Sequence, residues 1–442
     1  MSESNHGTVR GSLTRRAVLK RAGATAAAAA MGSTALTGSA SAAGEPVALQ
    51  YFDYGHSGGP TGGHWNRVAN QADSISNVGY DAVWVQQPCK PNSPSSNGYN
   101  PKNHRNFDQT SFGNEWEFSN MADSLHNASG GYTKLYVDTV LNHMGTSDPS
   151  TGAYPYFSSQ DFHYPKSVGQ DRLDGQLAGL WDLDQDKGYV RGELYRYVKK
   201  ISDLGADGYR WDAAKHIPQW FWRDEANRWA NDLNMFRVGE VFDGNTDFLM
   251  NYVNQWSGGE WRGQNVFDYP LFYALKGNFK YGGDLRNVRD TIENGNCVLG
   301  RNSTRACTFV ENHDTGYPSN KKLAYAFILT APGYPFVYDN HADYDGISFD
   351  QGYLGNLVWI KNNLAGGALY FRHADQNNLI YERNNNLLMG INQSSSWTEQ
   401  WVYTTWRNQS LNDYSGSNNA WVNGDGWVKV TIPPGGYTAL AP

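Results

Sequence analysis

Cysteine is scarce in this chain. Three residues among 442, Cys89, Cys297 and Cys307, allow at most one internal disulfide and leave a thiol over. Cys297 and Cys307 would close only a short loop. Neither a C-x-x-C pair nor an H-E-x-x-H segment occurs, which removes the common zinc patterns. No run of about 18 strongly apolar residues is present, so neither a spanning helix nor a membrane anchor is expected. Positive charge is also in deficit. The formal net charge is −7, which argues against nucleic acid as a partner.

The N-terminus stands apart from this pattern. TRRAVLKRAG (14–23) carries paired arginines, Ala24 to Met31 is mildly apolar, and Ala40-Ser41-Ala42 offers an A-x-A cleavage site. Residues 1–42 therefore read as a twin-arginine signal peptide, and the protein as secreted. Without Arg10, Arg15, Arg16, Lys20, Arg21 and Glu3 the net charge moves from −7 to about −11.

Aromatic residues are abundant, with 16 Trp and 28 Tyr. Most must pack in the interior, but such rings also floor sugar sites, where the apolar face of a pyranose stacks. From about residue 46 to 364, short apolar strands alternate with amphipathic helices. VALQYFDY, DAVWVQQ, KLYVDTVLNH, DGYRWDA, MFRVGEVF, RACTFVENHD and FVYD read as strands. HWNRVANQADSISNVG, YVRGELYRYVKKISDLG, PQWFWRDEANRWANDL and KKLAYAFILTAP read as helices. Such alternation predicts an α/β protein, a (β/α)₈ barrel over 43–143 and 187–366. The aperiodic segment 144–186 reads as a small inserted subdomain after strand three. Residues 367–442 change to short alternating runs separated by Asn, Ser and Gly, an antiparallel β-sandwich domain. That domain reads as a stabilising module; exposed Trp401, Trp406, Trp421 or Trp427 would instead let it stack on sugars.

Reacting groups in such barrels stand at the C-terminal ends of strands. Asp138, Asn142 and His143 end the third strand, Arg210 and Asp212 the fourth, Glu240 the fifth, and His313 and Asp314 the seventh. Residues i and i+2 share a strand face, so Arg210 and Asp212 point together into the mouth. The Arg is expected to lower the pKa of Asp212, while Asp212 and Asp314 raise that of Glu240. An ionised Asp facing a protonated Glu is the pairing that glycoside hydrolysis requires.

LYVDTVLNH, GYRWDAAKH, GEVF and FVENHD, in this order and spacing, resemble the four signature regions of the α-amylase family, glycoside hydrolase family 13. LWDLD (180–184) resembles a fifth, and GLWDLDQDKGYVRGELYRYV is similar to the animal-type α-amylases. The resemblance implies retaining endo-hydrolysis of α-1,4-glucan in starch, glycogen and malto-oligosaccharides by a monomer. It implies Asp212 as nucleophile, Glu240 as acid/base and Asp314 as the carboxylate that stabilises the transition state. Arg210 would partner the nucleophile, His143 and His313 would bond sugar hydroxyls, and Tyr99 would stack under the reacting ring. Lys215 and His216 would line the leaving-group side. A structural Ca²⁺ is implied, on the side chains of Asn142 and Asp182 and the carbonyl of His216. SSNG stands where animal-type enzymes have a tryptophan before the Tyr99 segment, so one stacking platform is missing. The basic residue of their chloride site has no counterpart near GYPFVYDN, so no chloride requirement is expected.

Rival readings are an α-1,6-glucosidase or transglycosylase of the same family, a glucan-binding protein without activity, and a zinc hydrolase using His143 and His313.

Overall fold

The computed structural model describes residues 45–53, 62–163, 173, 175–340, 348–350 and 352–442. The twin-arginine segment, residues 1–42, lies outside these, as does part of the segment 144–186. Eight parallel strands close into a barrel. They are β1 (Ala48–Phe52), β2 (Ala82–Val85), β3 (Lys134–Thr139), β4 (Gly208–Trp211), β5 (Phe236–Gly239), β6 (Asn265–Phe267), β7 (Ala306–Phe309) and β8 (Tyr334–Asn340). Each pairs with the next, and β1 closes on β8 with Ala48 opposite Phe336. Asp138 stands opposite Arg210 in the β3–β4 ladder, which sets two charged groups side by side at one height.

The barrel interior is aromatic. Phe52, Trp84, Phe267, Phe309 and Phe336 are buried together, with Trp84 and Phe267 at 5.3 Å and Phe267 and Phe336 at 5.1 Å between ring centroids. Rings this large close the barrel with few side chains, and they give the mouth above them an apolar floor.

Strand β6 and several helices escaped the sequence reading, among them Glu115–His126, Thr246–Val253, Tyr269–Asn278 and Arg286–Glu293. Strand β6 has only three residues, too few to show alternation. The helix Glu115–His126 lies in the stretch between β2 and β3. Its start is fixed by a capping box, in which Asn114 accepts from the Glu117 amide and Glu117 accepts from the Asn114 amide. The helical stretch after β4 is also not uniform. An α-turn at Gln219–Phe221 leads into a π-segment at Trp222–Ala226, then α-helix at Asn227–Asp232.

Between β3 and the helix Gly188–Asp203, the described chain has two 3₁₀ turns, Pro149–Thr151 and Ser159–Asp161. It is tied to the barrel where His143 bridges Asp182. The C-terminal region forms β9 (Leu369–Ala374), β10 (Asn378–Arg383), β11 (Leu387–Asn392), β12 (Thr398–Tyr403), β13 (Gln409–Asp413), β14 (Ala420–Val422), β15 (Trp427–Ile432) and β16 (Gly436–Ala441). Six of these make one antiparallel sheet, and β12 with β15 makes a two-stranded second layer. Ile380, Leu388, Val402, Val428, Val430 and Leu440 form the core between them. Trp406 belongs to this core, whereas Trp401, Trp421 and Trp427 are exposed. Buried Arg383 anchors the layer to the barrel. It donates to the carbonyls of Thr330 (2.8 Å) and Gly367 (2.9 Å) and pairs with Glu45.

All three cysteines are buried free thiols. Among the described residues no helix is long and apolar enough to cross a membrane.

Candidate active site

Arg210 organises the mouth. Its side chain is 1% exposed and lies over the Trp84 ring, 5.4 Å from the centroid. One terminal nitrogen, Nη1, donates to Asp138 Oδ1 at 2.9 Å and also to Asp212 Oδ1. The other, Nη2, reaches Glu240 Oε1 at 2.5 Å. Glu240 is further held by the amide of Ala213, which donates to Oε2 at 2.9 Å. That amide is aimed by an unusual backbone: Ala213 sits in the left-handed region at φ 48°, a conformation costly for a residue with a Cβ and frequent at functional sites.

The charge count sets the chemistry. One guanidinium faces three carboxylates over an apolar floor, so at neutral pH the cluster holds more negative charge than it can solvate. Burial pushes Glu240 up to about 7; Arg210 opposes this, and Asp212 and Asp314 reinforce it. Burial also pushes Asp212 up, to about 6, against the pull of Arg210. The expected lowering of the Asp212 pKa is therefore corrected. Arg210 acts in that direction, but desolvation of a residue 6% exposed outweighs it. Asp314 differs. Its side chain is 44% exposed at the rim; burial pushes it up, but the His313 hydrogen bond and the Arg210 charge outweigh this and hold it near 2.

A second chain of contacts links the rim to the floor. Gln50 Nε2 donates to His313 Nδ1 at 2.8 Å, so the ring carries its proton on Nε2. That proton faces Tyr99 Oη at 2.7 Å and Asp314 Oδ2 at 3.1 Å. Tyr99 Oη in turn donates to Asp138 Oδ2 at 2.6 Å. Tyr99 and His313 stack at 8° between planes.

His143 is buried against the Tyr99 segment. Its Nε2–H donates to the Tyr99 carbonyl at 3.0 Å, and its Nδ1 accepts from Asn142 Nδ2 at 3.3 Å. Burial pushes its pKa down to about 4, so the ring is neutral. Both nitrogens have protein partners, and the Nε2 contact holds the backbone of Tyr99 in place. Lys215 donates to the Phe242 carbonyl at 2.6 Å, beside the Glu240 loop. His216 ends a 3₁₀ turn, close enough to His143 to lower its pKa.

Asn142 and Asp182 meet through paired backbone: Leu183 donates to the Asn142 carbonyl at 2.9 Å. Asp182 is buried, with Oδ2 on His163 Nδ1 at 2.6 Å. Among the described residues no three His, Cys, Asp or Glu side chains converge as a metal cluster.

The structure therefore brings Tyr99, Arg210, Asp212, Glu240, His313 and Asp314 to one mouth. Three further participants were not singled out for the site. Asp138 was noted at its strand end, and its register opposite Arg210 could have marked it. The Ala213 amide and Gln50 carried no signal short of the backbone path.

Comparison with known proteins follows the same line. The family model "Alpha amylase, catalytic domain" matches residues 38–163, and "Alpha-amylase C-terminal" matches 387–440. The glucan 1,4-alpha-maltohexaosidase of Bacillus sp. (strain 707) is 30% identical over 382 residues, 68% of this chain and 70% of that protein. The beta/alpha-amylase of Paenibacillus polymyxa is 24% identical over 77% of this chain, which spans only 31% of that longer protein. In fold, the chain is similar to the alpha-amylase of Geobacillus thermoleovorans, with a TM-score of 0.75 at 20% identity over 89% of this chain and 97% of that one. With a relative of this identity matched over more than two thirds of its length, and a closed barrel carrying its carboxylates at the strand ends, the chain belongs to the α-amylase family, glycoside hydrolase family 13.

Proposed function

We propose that this protein is a secreted α-amylase that hydrolyses internal α-1,4-glucosidic bonds of starch and glycogen with retention of configuration. The observation that carries this reading is the Arg210 guanidinium shared by Asp212 and Glu240. Carboxylates bridged by one guanidinium are close-set, which favours the separation of about 5–5.5 Å used by retaining enzymes over the about 6.5–9.5 Å of inverting ones.

In the first step Glu240, protonated over much of the neutral range, gives its proton to the glycosidic oxygen. Asp212, mostly ionised at pH 7, attacks the anomeric carbon. The C–O bond to the leaving chain breaks, and a glucosyl ester forms on Asp212. Glu240, now ionised, takes a proton from water, which attacks the same carbon and frees the Asp212 carboxylate. Asp314, anionic and half-exposed at the rim, offsets the positive charge that develops on the sugar ring. Tyr99 supplies the stacking face, and His143 fixes its backbone.

The donor set also fits a structural Ca²⁺. Asn142 Oδ1 is buried without a hydrogen-bond partner in the protein, and the buried Asp182 carboxylate stands on the paired strand. Oxygen donors from separate segments suit this hard cation, and His216 would add its carbonyl. When bound, it would hold the 144–186 segment against the barrel and take no part in bond breaking. No chloride dependence is proposed. Export is assigned to the twin-arginine segment.

The test is direct. Soluble starch is incubated with the protein and the anomer released is read by NMR, and a slow 2-fluoro-glucosyl substrate is used to trap the ester. The α-anomer and a label on Asp212 are expected. A β-anomer, or a label on another residue, overturns the mechanism, and products confined to α-1,6 cleavage or glucosyl transfer overturn the assigned specificity.

A further inference from the structure

A groove of 320 Å³ runs along the flank of the barrel, between the helical stretch after β4 and the helix Thr246–Val253 after β5. None of its lining residues belongs to the mouth described above. Two tryptophans, Trp220 and Trp256, line it together with four amides, Gln219, Asn251, Asn254 and Gln255. Arg223 is its one charged lining residue, and Asp224 binds that guanidinium through both oxygens, at 2.8 and 2.6 Å. The charge is thereby neutralised, so the groove offers nothing to an anion or a cation.

Two features mark it as a built site rather than a chance depression. Gln255 is more than nine-tenths buried, and its Oε1 has no hydrogen-bond partner in the protein. A buried acceptor left open wants a donor from a ligand or water. Trp256, 63% exposed, is held out on an anchored hairpin. The hairpin pairs Trp256 with Trp261 and turns at Gly258 and Gly259, both in the left-handed region. Trp261 locks its base: Nε1 donates to the Val253 carbonyl at 2.8 Å, and the guanidiniums of Arg305 and Arg237 lie over its ring at 3.6 and 4.6 Å. A large apolar ring is thus held at the edge of the groove with most of its surface in water.

Aromatic faces, uncharged amides and no net charge are the chemistry that recognises a neutral polyhydroxylated chain. Pyranose faces stack on the rings, and hydroxyls give and take hydrogen bonds with the amides. The volume lies at the small end of ligand sites, about 300–1,000 Å³. We propose that this groove is a second carbohydrate site, which holds a segment of α-glucan chain on the barrel flank while another segment is cut at the mouth. The fit to a neutral glycan rests on the groove alone; its identity as an α-glucan rests on the hydrolase reading. Tethering of this kind raises the local concentration of chain ends and internal bonds near the catalytic mouth.

The test uses the full chain with Trp256→Ala and, independently, Asn251→Lys, which puts bulk and charge into the groove at an exposed helical position. Adsorption to starch granules is expected to weaken at least fivefold in both. Hydrolysis of a short soluble maltotrioside, which engages only the mouth, should stay within twofold of wild type. In a Glu240→Gln background, titration calorimetry with maltoheptaose should fall from two sites to one on adding Trp256→Ala. Unchanged adsorption and unchanged stoichiometry in both variants overturn the proposal. Failure of the wild type to hydrolyse starch overturns the hydrolase reading instead, and in that case Trp256-dependent fluorescence quenching by maltoheptaose still decides the groove: quenching supports it, and no quenching overturns it.

Discussion

Asp138→Asn isolates the electrostatics of the mouth without touching either proposed reacting group. In the wild type, activity requires Asp212 ionised and Glu240 protonated. With pKa values of about 6 and about 7, kcat/KM should follow a bell. Activity is lost as pH falls through the Asp212 value and as it rises through the Glu240 value. Near pH 6.5, roughly 0.6 of the molecules are in the competent state. Asp138 and Asp212 both accept from Arg210 Nη1, which puts their oxygens about 5 Å apart. Two such charges repel by about 3 kcal/mol at an effective dielectric constant of about 20, equivalent to roughly two pH units. Removing the Asp138 charge favours the anion at Asp212, so the acid limb should move down from about 6 toward the ordinary aspartate range. The alkaline limb should move less, because Glu240 responds chiefly to burial, Arg210, Asp212 and Asp314. The bell therefore broadens on its acid side. The assay is the pH dependence of kcat/KM on a chromogenic maltoside, alongside thermal unfolding, since the lost bond to a buried charged Arg costs about 1.5–3 kcal/mol. An acid limb that stays within 0.3 units, or moves upward, refutes the shared-guanidinium account.

Replacing Asp212 by Asn should lower kcat by at least about 10³-fold with the fold intact by circular dichroism, as expected for a lost nucleophile; near wild-type turnover would remove Asp212 from its role. Gly239→Ala should destabilise by about 1–3 kcal/mol in urea unfolding, because its Cβ would stand 2.1 Å from Gln264 Nε2, a side chain fully buried beside β5; an unchanged midpoint would show that Gln264 yields freely. Chelation with EGTA should lower the thermal midpoint, and Asn142→Ala should abolish the recovery on adding Ca²⁺; a midpoint indifferent to both would separate Asn142 from any cation.

Much of the site was legible because the (β/α)₈ pattern fixes where strand ends go. Arg210 and Asp212 share a face by simple alternation, and Glu240 and Asp314 follow from counting strands to their ends. What could not be read was set by the backbone path or by burial. Strand β6 is three residues long, and no periodicity survives at that length. The helix Glu115–His126 was readable in principle from Asn114 and Glu117, three positions apart, but its apolar stripe is thin and a long polar loop precedes it. The bond from His143 to the Tyr99 carbonyl, at 3.0 Å, is a contact across 44 residues. The direction of the Asp212 shift was misread for a different reason: sequence shows the neighbouring Arg but not the depth at which both lie.

Depth, in turn, explains why the mouth works as a pair of unlike acids. An exposed Arg beside an Asp would give two ordinary carboxylates, both ionised at neutral pH and neither able to donate a proton. Sinking Arg210 onto the aromatic floor with three carboxylates around it creates a site where one proton must be retained. Glu240 retains it, because Asp212 and Asp138 share Arg210 Nη1 while Asp212 and Asp314 both add negative charge around Glu240. Asp314, half in solvent and bonded to His313, is left as the permanent anion. Three acids of near-equal intrinsic strength are thus spread over a ladder of about 2, 6 and 7. That order follows from burial first and from charge partners second, so a variant that opens the floor, such as Trp84→Ala, should draw the Asp212 and Glu240 values down together rather than apart.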